Sequence, residues 1–361
     1  MASTLEVTRL KSFLPIHPQI GNQMKSSYRA VQISSPGVLE LIERSVQQPG
    51  EEEVLIAVEA CGICGADAAD IESPSAIPGR IPGHEVVGRI IARGSHVPEM
   101  WQTGQRVGIG RLGGHCQTCG SCRRGLFHLC QAQPVIGNNR DGGYAEQMLA
   151  RHTGLVAIPD ELSAIDAAPL LCAGLATFNA LKKSAAQAGD LVAIQGIGGL
   201  GHLAIQYARK MGFRVVAIGR GMDIAADARQ LGAHVYIDSR TEDPLPRLQA
   251  MGGAQVILST VTDSPAASAL LPALAAQGRL LIVGVGMQPL EFMPRNMVGG
   301  ERMVMGTLTG SPWESEKTLD FSLLTDVRAR VETMPLEQAA EAYQRMKSGR
   351  ANFRMVLTME V

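Results

Sequence analysis

Four cysteines, Cys116, Cys119, Cys122 and Cys130, stand at C-x2-C-x2-C-x7-C inside the run GGHCQTCGSCRRGLFHLC. That run is too rich in Gly and Arg for a core strand and reads as a loop. Four thiolates gathered by short turns supply the tetrahedral sulfur set of a closed structural Zn²⁺ site, and the metal stiffens a lobe with little core of its own. Four unligated thiols there would be the poorer choice, since exposed thiols oxidise and buried ones prefer apolar surroundings. His115 and His128 flank the cluster, but four Cys already complete the shell. A second group is scattered: Cys64 in EACGICGAD, His84-Glu85 in IPGHEVVG and Cys172 in PLLCAG. Singly, each can be a packed residue, Cys172 above all in its apolar stretch. Together, two thiolates and one imidazole make a three-ligand catalytic zinc set that leaves a fourth position for water or substrate. Glu85 is either a carboxylate behind the ligands or an exchangeable ligand. Cys61 has no partner by spacing and reads as a packed thiol.

A third constellation begins at Asp190, in DLVAIQGIGGLGHLAIQYARKMGFRVVAIGR. Residues 191–195 form a short apolar run suited to a buried parallel strand, and Gly196, Gly198 and Gly201 follow in G-x-G-x-x-G order, with Gly199 and Leu200 between them. Leu200, Leu203, Ala204, Tyr207, Ala208 and Met211 then recur on one helical face, Gly212 stops the helix, and a second strand covers 214–218. In that context the glycines let the backbone approach a pyrophosphate, whose charge is met by amides at the helix N-terminus. An acid after the second strand would accept hydrogen bonds from the ribose of NAD(H); here stand Gly219, Arg220 and Gly221. With no carboxylate to repel a 2′-phosphate and an Arg able to pair with it, the expectation is NADP(H) over NAD(H). Asp223 can still reach the ribose, and the bland reading of Arg220 is a solvated loop charge.

The elements that must position these groups fit an α/β chain. Its 361 residues suggest two domains, each with its own core. Apolar residues at 45% and charged residues at 19% exclude a disordered or collagen-like chain. Lys+Arg 33 against Asp+Glu 34 provides no basic field for nucleic acid or an anionic membrane. No run of about 20 apolar residues offers a membrane span. Seven cysteines, an odd number, argue against a disulfide framework. Residues 1–25 read as an N-terminal extension without the apolar core or cleavage site of a secretory signal, so a cytoplasmic location is expected. Regular structure begins at about residue 28, and further strands are expected at 256–260, 280–284 and 303–307, alternating with helices as in a doubly wound sheet. A helix over 336–347, entered through Pro335, and a final strand in which Phe353, Met355, Leu357 and Met359 alternate complete the pattern.

These features together resemble the zinc-containing medium-chain dehydrogenase/reductase family, of the alcohol dehydrogenase type, over residues 24–361. The matching residues are Gly83-His84-Glu85 with Gly88, the four-Cys lobe, DGGYAE at 141–146, PLLCAG at 169–174 and the GIGGLG turn. The resemblance implies a Rossmann doubly wound parallel sheet inserted between two parts of a GroES-like, mainly β catalytic domain. The expected boundaries are 26–165 and 310–361 for the catalytic domain, with a zinc lobe at about 111–131, and 166–309 for the nucleotide domain. It also implies two Zn²⁺ per chain, a catalytic one held by Cys64, His84 and Cys172 beside the nicotinamide, and a homodimer or homotetramer in which the strand near 280–285 is a candidate for pairing between subunits.

Two departures from the family pattern stand out. Where relatives carry C-x-[ST]-D, with the hydroxyl starting a proton relay, this chain reads Cys64-Gly65-Ala66-Asp67, and Ala69 replaces a relay His found in some members. In GIGRLGG, Arg111 takes a position where relatives usually place a large aromatic residue in the substrate pocket, which favours a polar or anionic small molecule. The leading expectation is a hydride transfer between NADP(H) and an alcohol, aldehyde or ketone. The alternatives are a reductase of an imine or conjugated C=C bond on the same scaffold and a non-catalytic nucleotide-binding protein.

Overall fold

The computed structural model describes residues 26–360; the expected extension at 1–25 lies outside the described residues. The chain opens with a hairpin, β1 (Ser27–Ser35) and β2 (Val38–Ser45). A mixed sheet then takes β3 (Glu53–Ile63), β4 (Glu85–Arg93), β5 (Arg106–Ile109), β6 (Gln147–Arg151) and β7 (Val156–Ala157). Six parallel strands follow: β8 (Leu191–Gln195), β9 (Arg214–Gly219), β10 (Val235–Asp238), β11 (Ala254–Ser259), β12 (Leu274–Ile282) and β13 (Met303–Gly306). The chain returns to the first sheet with β14 (Val331–Pro335) and β15 (Arg354–Thr358), which gives that sheet the order β14-β15-β3-β4-β5-β7, with β6 also on β3.

The parallel sheet has the order β10-β9-β8-β11-β12-β13. Its first strand lies at the centre and the order reverses beside it, the crevice where doubly wound sheets take a nucleotide. All five residues of β8 are buried, as a strand covered by helices on both faces requires. The expected strand at 280–284 starts earlier, at Leu274, because its register on β11 jumps between Ala254 and Val256 where Gln277 adopts φ +57°. It is also interior, hydrogen-bonded to β11 and β13, so its edges are not free to pair with a second subunit. That corrects the expectation; the open edges of this sheet are β10 and β13.

The returning segment differs from its expected form in two ways. Pro335 ends β14, and a short turn at Leu336–Gln338 precedes the helix Ala339–Lys347. Strand β15 is buried on both faces rather than one. Met355 and Leu357 enter the core of the mixed sheet, whereas Val356 faces a second core shared with β8 and β9. The sheet therefore divides two cores and places the opposite face of β15 against the nucleotide region. No single helix among the described residues is long and apolar enough to cross a membrane; the apolar pair Ala164–Leu171 and Ala173–Lys183 bends by 50° at Cys172.

Candidate active site

Cys64 follows β3 directly and caps the helix Gly65–Ile71. Asp67, three residues on, accepts the Cys64 backbone N–H at 2.9 Å through Oδ2, a capping arrangement that fixes the thiol at the helix start. His84 precedes β4 and follows Gly83, which lies at φ +93° with no room for a side chain: a Cβ would fall 2.3 Å from the Tyr144 ring. Cys172 sits at the break between its two apolar helical segments. These elements bring the donor atoms of Cys64, His84, Glu85 and Cys172 within 4.8 Å of one another. The two sulfurs are 3.8 Å apart, matching the edge of a tetrahedron with Zn–S bonds of about 2.3 Å. His84 is fully buried, and its Nε2 has no hydrogen-bond partner among the described residues. Such an atom, aimed among thiols, fits a metal ligand.

The surroundings organise these donors. His84 Nδ1 stands 2.7 Å from Asp67 Oδ1, while Tyr144 Oη donates to Asp67 Oδ2 at 2.9 Å. The buried carboxylate therefore holds the imidazole with Nε2 facing the thiols. Glu85, also fully buried, receives both of its hydrogen bonds from Arg354 Nη2 in β15, at 2.6 Å to Oε2. It reaches across from β4 only because Gly62 opposite has no side chain; a Cβ there would meet Glu85 Oε2 at 2.0 Å. Burial opposes charge on His84, yet Asp67 and Cys64 outweigh it and push the imidazole up to about 10. Hydrogen bonding with Cys172 holds Cys64 well below the ordinary thiol range, and the same contact drives Cys172 well above it. Burial lifts Glu85 to about 7 against the pull of Arg354. Cys61 is buried in β3, apart from this donor set.

The second donor set is Cys116, Cys119, Cys122 and Cys130, again within 4.8 Å of one another. Gln117 turns through φ +62° so that the Cys119 N–H reaches Cys116 Sγ at 3.4 Å, and the Cys116 N–H reaches Cys130 Sγ at 3.3 Å. Hydrogen bonds from Thr118 and from backbone amides bring Cys116 down to about 5, the thiolate form a metal needs. His115 stacks on Phe127 at 4.2 Å, and neither it nor His128 joins the four-sulfur set.

At the nucleotide crevice, Gly196 has φ +87°, and Gly201 packs so tightly that a Cβ would lie 1.8 Å from Gly196 O. Gly198 faces open space, and Gly199 lies under Arg354, whose Nη1 would meet a Cβ there at 2.8 Å. Leu200 precedes the helix Gly201–Lys210, whose N-terminal, positive end of the dipole adjoins the turn. This cradle fits a pyrophosphate. At the end of β9, a Cβ on Gly219 would meet Tyr236 Oη at 2.7 Å, so Tyr236 fills the space that an acidic side chain would need. Arg220 is exposed, and Arg240 brings a second guanidinium to within 2.9 Å of the Cβ position of Gly221.

Ala66 and Ala69 lie on the helix Gly65–Ile71 and offer no hydroxyl or imidazole. Arg111, just past β5, is not a free cation. Its Nη2 donates to Asp70 Oδ1 at 3.0 Å, Nη1 donates to Asp70 Oδ2, and Asn138 Nδ2 donates to Asp70 Oδ1 at 2.7 Å. The expectation that this position favours a polar or anionic small molecule therefore rests on a guanidinium already paired with Asp70. Sequence reasoning gave no role to Asp70, Asn138, Arg354, Tyr236 or Arg240. Only Asp67 and Tyr144 lay inside motifs that drew attention.

A doubly wound parallel sheet inserted between two parts of a mixed-sheet domain, with two clustered donor sets and a glycine cradle, is the arrangement of the zinc-binding dehydrogenases. The alcohol dehydrogenase GroES-like domain matches residues 50–160 and the zinc-binding dehydrogenase domain matches 199–324. An alcohol dehydrogenase of an Aspergillus species, notN, is 42% identical over 315 residues, covering 86% of this chain and 92% of that protein. The structure of CAD from Helicobacter pylori complexed with NADP(H) is 26% identical with a TM-score of 0.82, covering 93% of this chain and 99% of that one. Acetophenone reductase from Geotrichum candidum in complex with NAD is 27% identical with a TM-score of 0.83, covering 93% and 98%. The chain belongs to the zinc-containing medium-chain dehydrogenase/reductase family and is an oxidoreductase of the alcohol dehydrogenase type.

Proposed function

We propose that the protein interconverts a small alcohol and its aldehyde or ketone with NADP(H) as the preferred cofactor, using one Zn²⁺ for chemistry and a second to hold the cysteine lobe. Cys64, His84 and Cys172 hold the first ion, with Glu85 as neighbour or exchangeable ligand; Cys116, Cys119, Cys122 and Cys130 hold the second. Bound there, the first ion supplies Lewis acidity toward a substrate oxygen, and the nicotinamide supplies or accepts the hydride. The observation that carries this reading is the convergence of two thiols 3.8 Å apart with the unpartnered Nε2 of His84.

The chain's own residues do the rest. Asp67 fixes the imidazole, and Arg354 offsets the charge of Glu85 while standing over Gly199, which ties the metal site to the pyrophosphate cradle. Gly219 and Arg220 support the cofactor preference, and Arg240 adds a second cation for a 2′-phosphate. Ala66 has no proton to give, so the proton on the substrate oxygen passes to solvent or another group. That gap favours one second reading, reduction of an imine or conjugated C=C bond. A homodimer or homotetramer is supported by the open edge of β13 and by Val285 and Met287 nearby in the chain, 83% and 97% exposed.

Oxidation of NADPH against panels of aldehydes, imines and enones, before and after chelation, tests the reading. Metal-dependent turnover of carbonyls supports it, turnover restricted to the other panels moves the assignment to the second reading, and cofactor binding without turnover refutes both.

A further inference from the structure

We propose that Arg111, held by Asp70, which Asn138 holds in turn, selects a substrate carrying a second, uncharged oxygen acceptor away from the reacting carbon, and disfavours both apolar and carboxylate-bearing analogues. This rests on the carbonyl and alcohol chemistry proposed above and names the class of substrate it acts on.

The argument begins with position. Arg111 follows Gly110, whose Cβ position lies 2.9 Å from the carbonyl of Leu171, the residue before Cys172. Asp70 lies on the helix that begins at Cys64, one turn beyond Ala66. The ion pair thus ties the helix that begins at Cys64 to the segment lying against Leu171, the residue before Cys172. Ala66 and Ala69 expose only methyls on that helix, and the Arg111 guanidinium lies against its Asp70.

Orientation and charge follow. The Asp70 side chain is 3% exposed and that of Arg111 is 21% exposed, so the carboxylate stands behind and part of the guanidinium stands in front. Arg111 lines a small cavity with Leu171, Leu175 and Thr309. A guanidinium has five N–H donors in a rigid fork. Asp70 takes two, and no other acceptor reaches the Arg111 side chain among the described residues. The remaining donors can bond a substrate oxygen. The positive charge is already offset at contact distance, so a carboxylate gains little from it and approaches Asp70 besides. An apolar group would cover the spare N–H donors without bonding them, which is the costly case for buried donors.

The test uses four furans of matched reactivity: furfural, 5-(hydroxymethyl)furfural, 5-ethylfurfural and 5-formyl-2-furoate. With NADPH and the zinc-loaded protein, kcat/KM for the hydroxymethyl compound should exceed that for the ethyl and carboxylate compounds by about tenfold, the value of one charge-assisted hydrogen bond, and mostly through KM. Asp70→Asn frees the positive charge and should raise the carboxylate-to-hydroxymethyl ratio by about tenfold. Arg111→Leu should reverse the hydroxymethyl-to-ethyl preference. Thermal melting reports whether each variant folds; if Asp70→Asn does not, the parent ranking and Arg111→Leu decide. Turnover of furfural without discrimination among the other three overturns this role for Arg111 alone. Failure to reduce any of the four, with NADPH bound, overturns the carbonyl reading itself.

Discussion

The proposed preference for NADP(H) makes the most demanding prediction, because the structure changes what a simple substitution should do. Arg220→Ala removes a guanidinium that can form a charge-assisted hydrogen bond with a 2′-phosphate. Such bonds are worth about 1.5–3 kcal/mol, and the exposed position of Arg220 argues for the lower end, a little over tenfold. KM for NADPH should rise by about that factor, KM for NADH should stay unchanged, and the difference should shrink as salt is raised. Gly219→Asp supplies the acid that NAD(H) enzymes use, yet its Cβ would lie 2.7 Å from Tyr236 Oη and 2.9 Å from its Cε2. Tyr236 must move, and its hydroxyl hydrogen bond to the Gly221 carbonyl must break. The single variant should therefore lose NADPH without gaining NADH, and pairing it with Tyr236→Ala should restore space for the carboxylate and raise NADH use. Steady-state kcat/KM for both cofactors with one aldehyde measures this. A parent enzyme that favours NADH, or an Arg220→Ala variant that loses both cofactors equally, refutes the reasoning.

Metal analysis separates the two donor sets: Cys172→Ser should lower bound zinc from two equivalents to one and abolish turnover, whereas Cys119→Ser should remove the other equivalent and lower Tm. Asp67→Ala leaves His84 without its carboxylate and should weaken metal binding at the first site by about 10- to 100-fold in a chelator competition. His202 gives a pH dependence. It is buried as the neutral ring, with Nδ1 3.2 Å from Gly198 O and Nε2 accepting the Arg330 N–H at 3.3 Å. Burial, with Arg354 nearby, lowers it to about 3 from the usual 6.5. Between those values the unfolded chain binds the extra proton, so stability from this group is intact above pH 6.5 and falls by roughly 1.4 kcal/mol per pH unit below it. Urea titrations from pH 4.5 to 7.5 should show a shallower acid loss for His202→Gln, and identical slopes would refute the assignment.

Much of this protein is legible in one dimension because its chemistry lies in short local runs. The spacing of Cys116 to Cys130 requires a loop that folds on itself, and the structure gathers those sulfurs. The run from Asp190 to Arg220 contains strand, turn, helix and strand in sequence, and Gly201 marks the place where backbone meets backbone, against Gly196 O. Cys64, His84 and Cys172 could be grouped only by residue type and by resemblance, since the sulfurs they bring together are 108 residues apart in the chain.

What the sequence by itself could not decide is which charges neutralise one another. Arg354 reaches Glu85 across 269 residues, and Arg111 reaches Asp70 across 41. No local pattern encodes those pairs; they exist because β15 is buried on both faces and because the helix after Cys64 packs beside the end of β5. The same holds for the subunit edge. Residues 280–284 read as a strand, but only strand order shows that β13 covers it. Donor types and their local spacing follow from covalent order, whereas the charge and the free hydrogen bonds left at a site depend on long-range packing, and that packing is what sets Arg111 against Asp70.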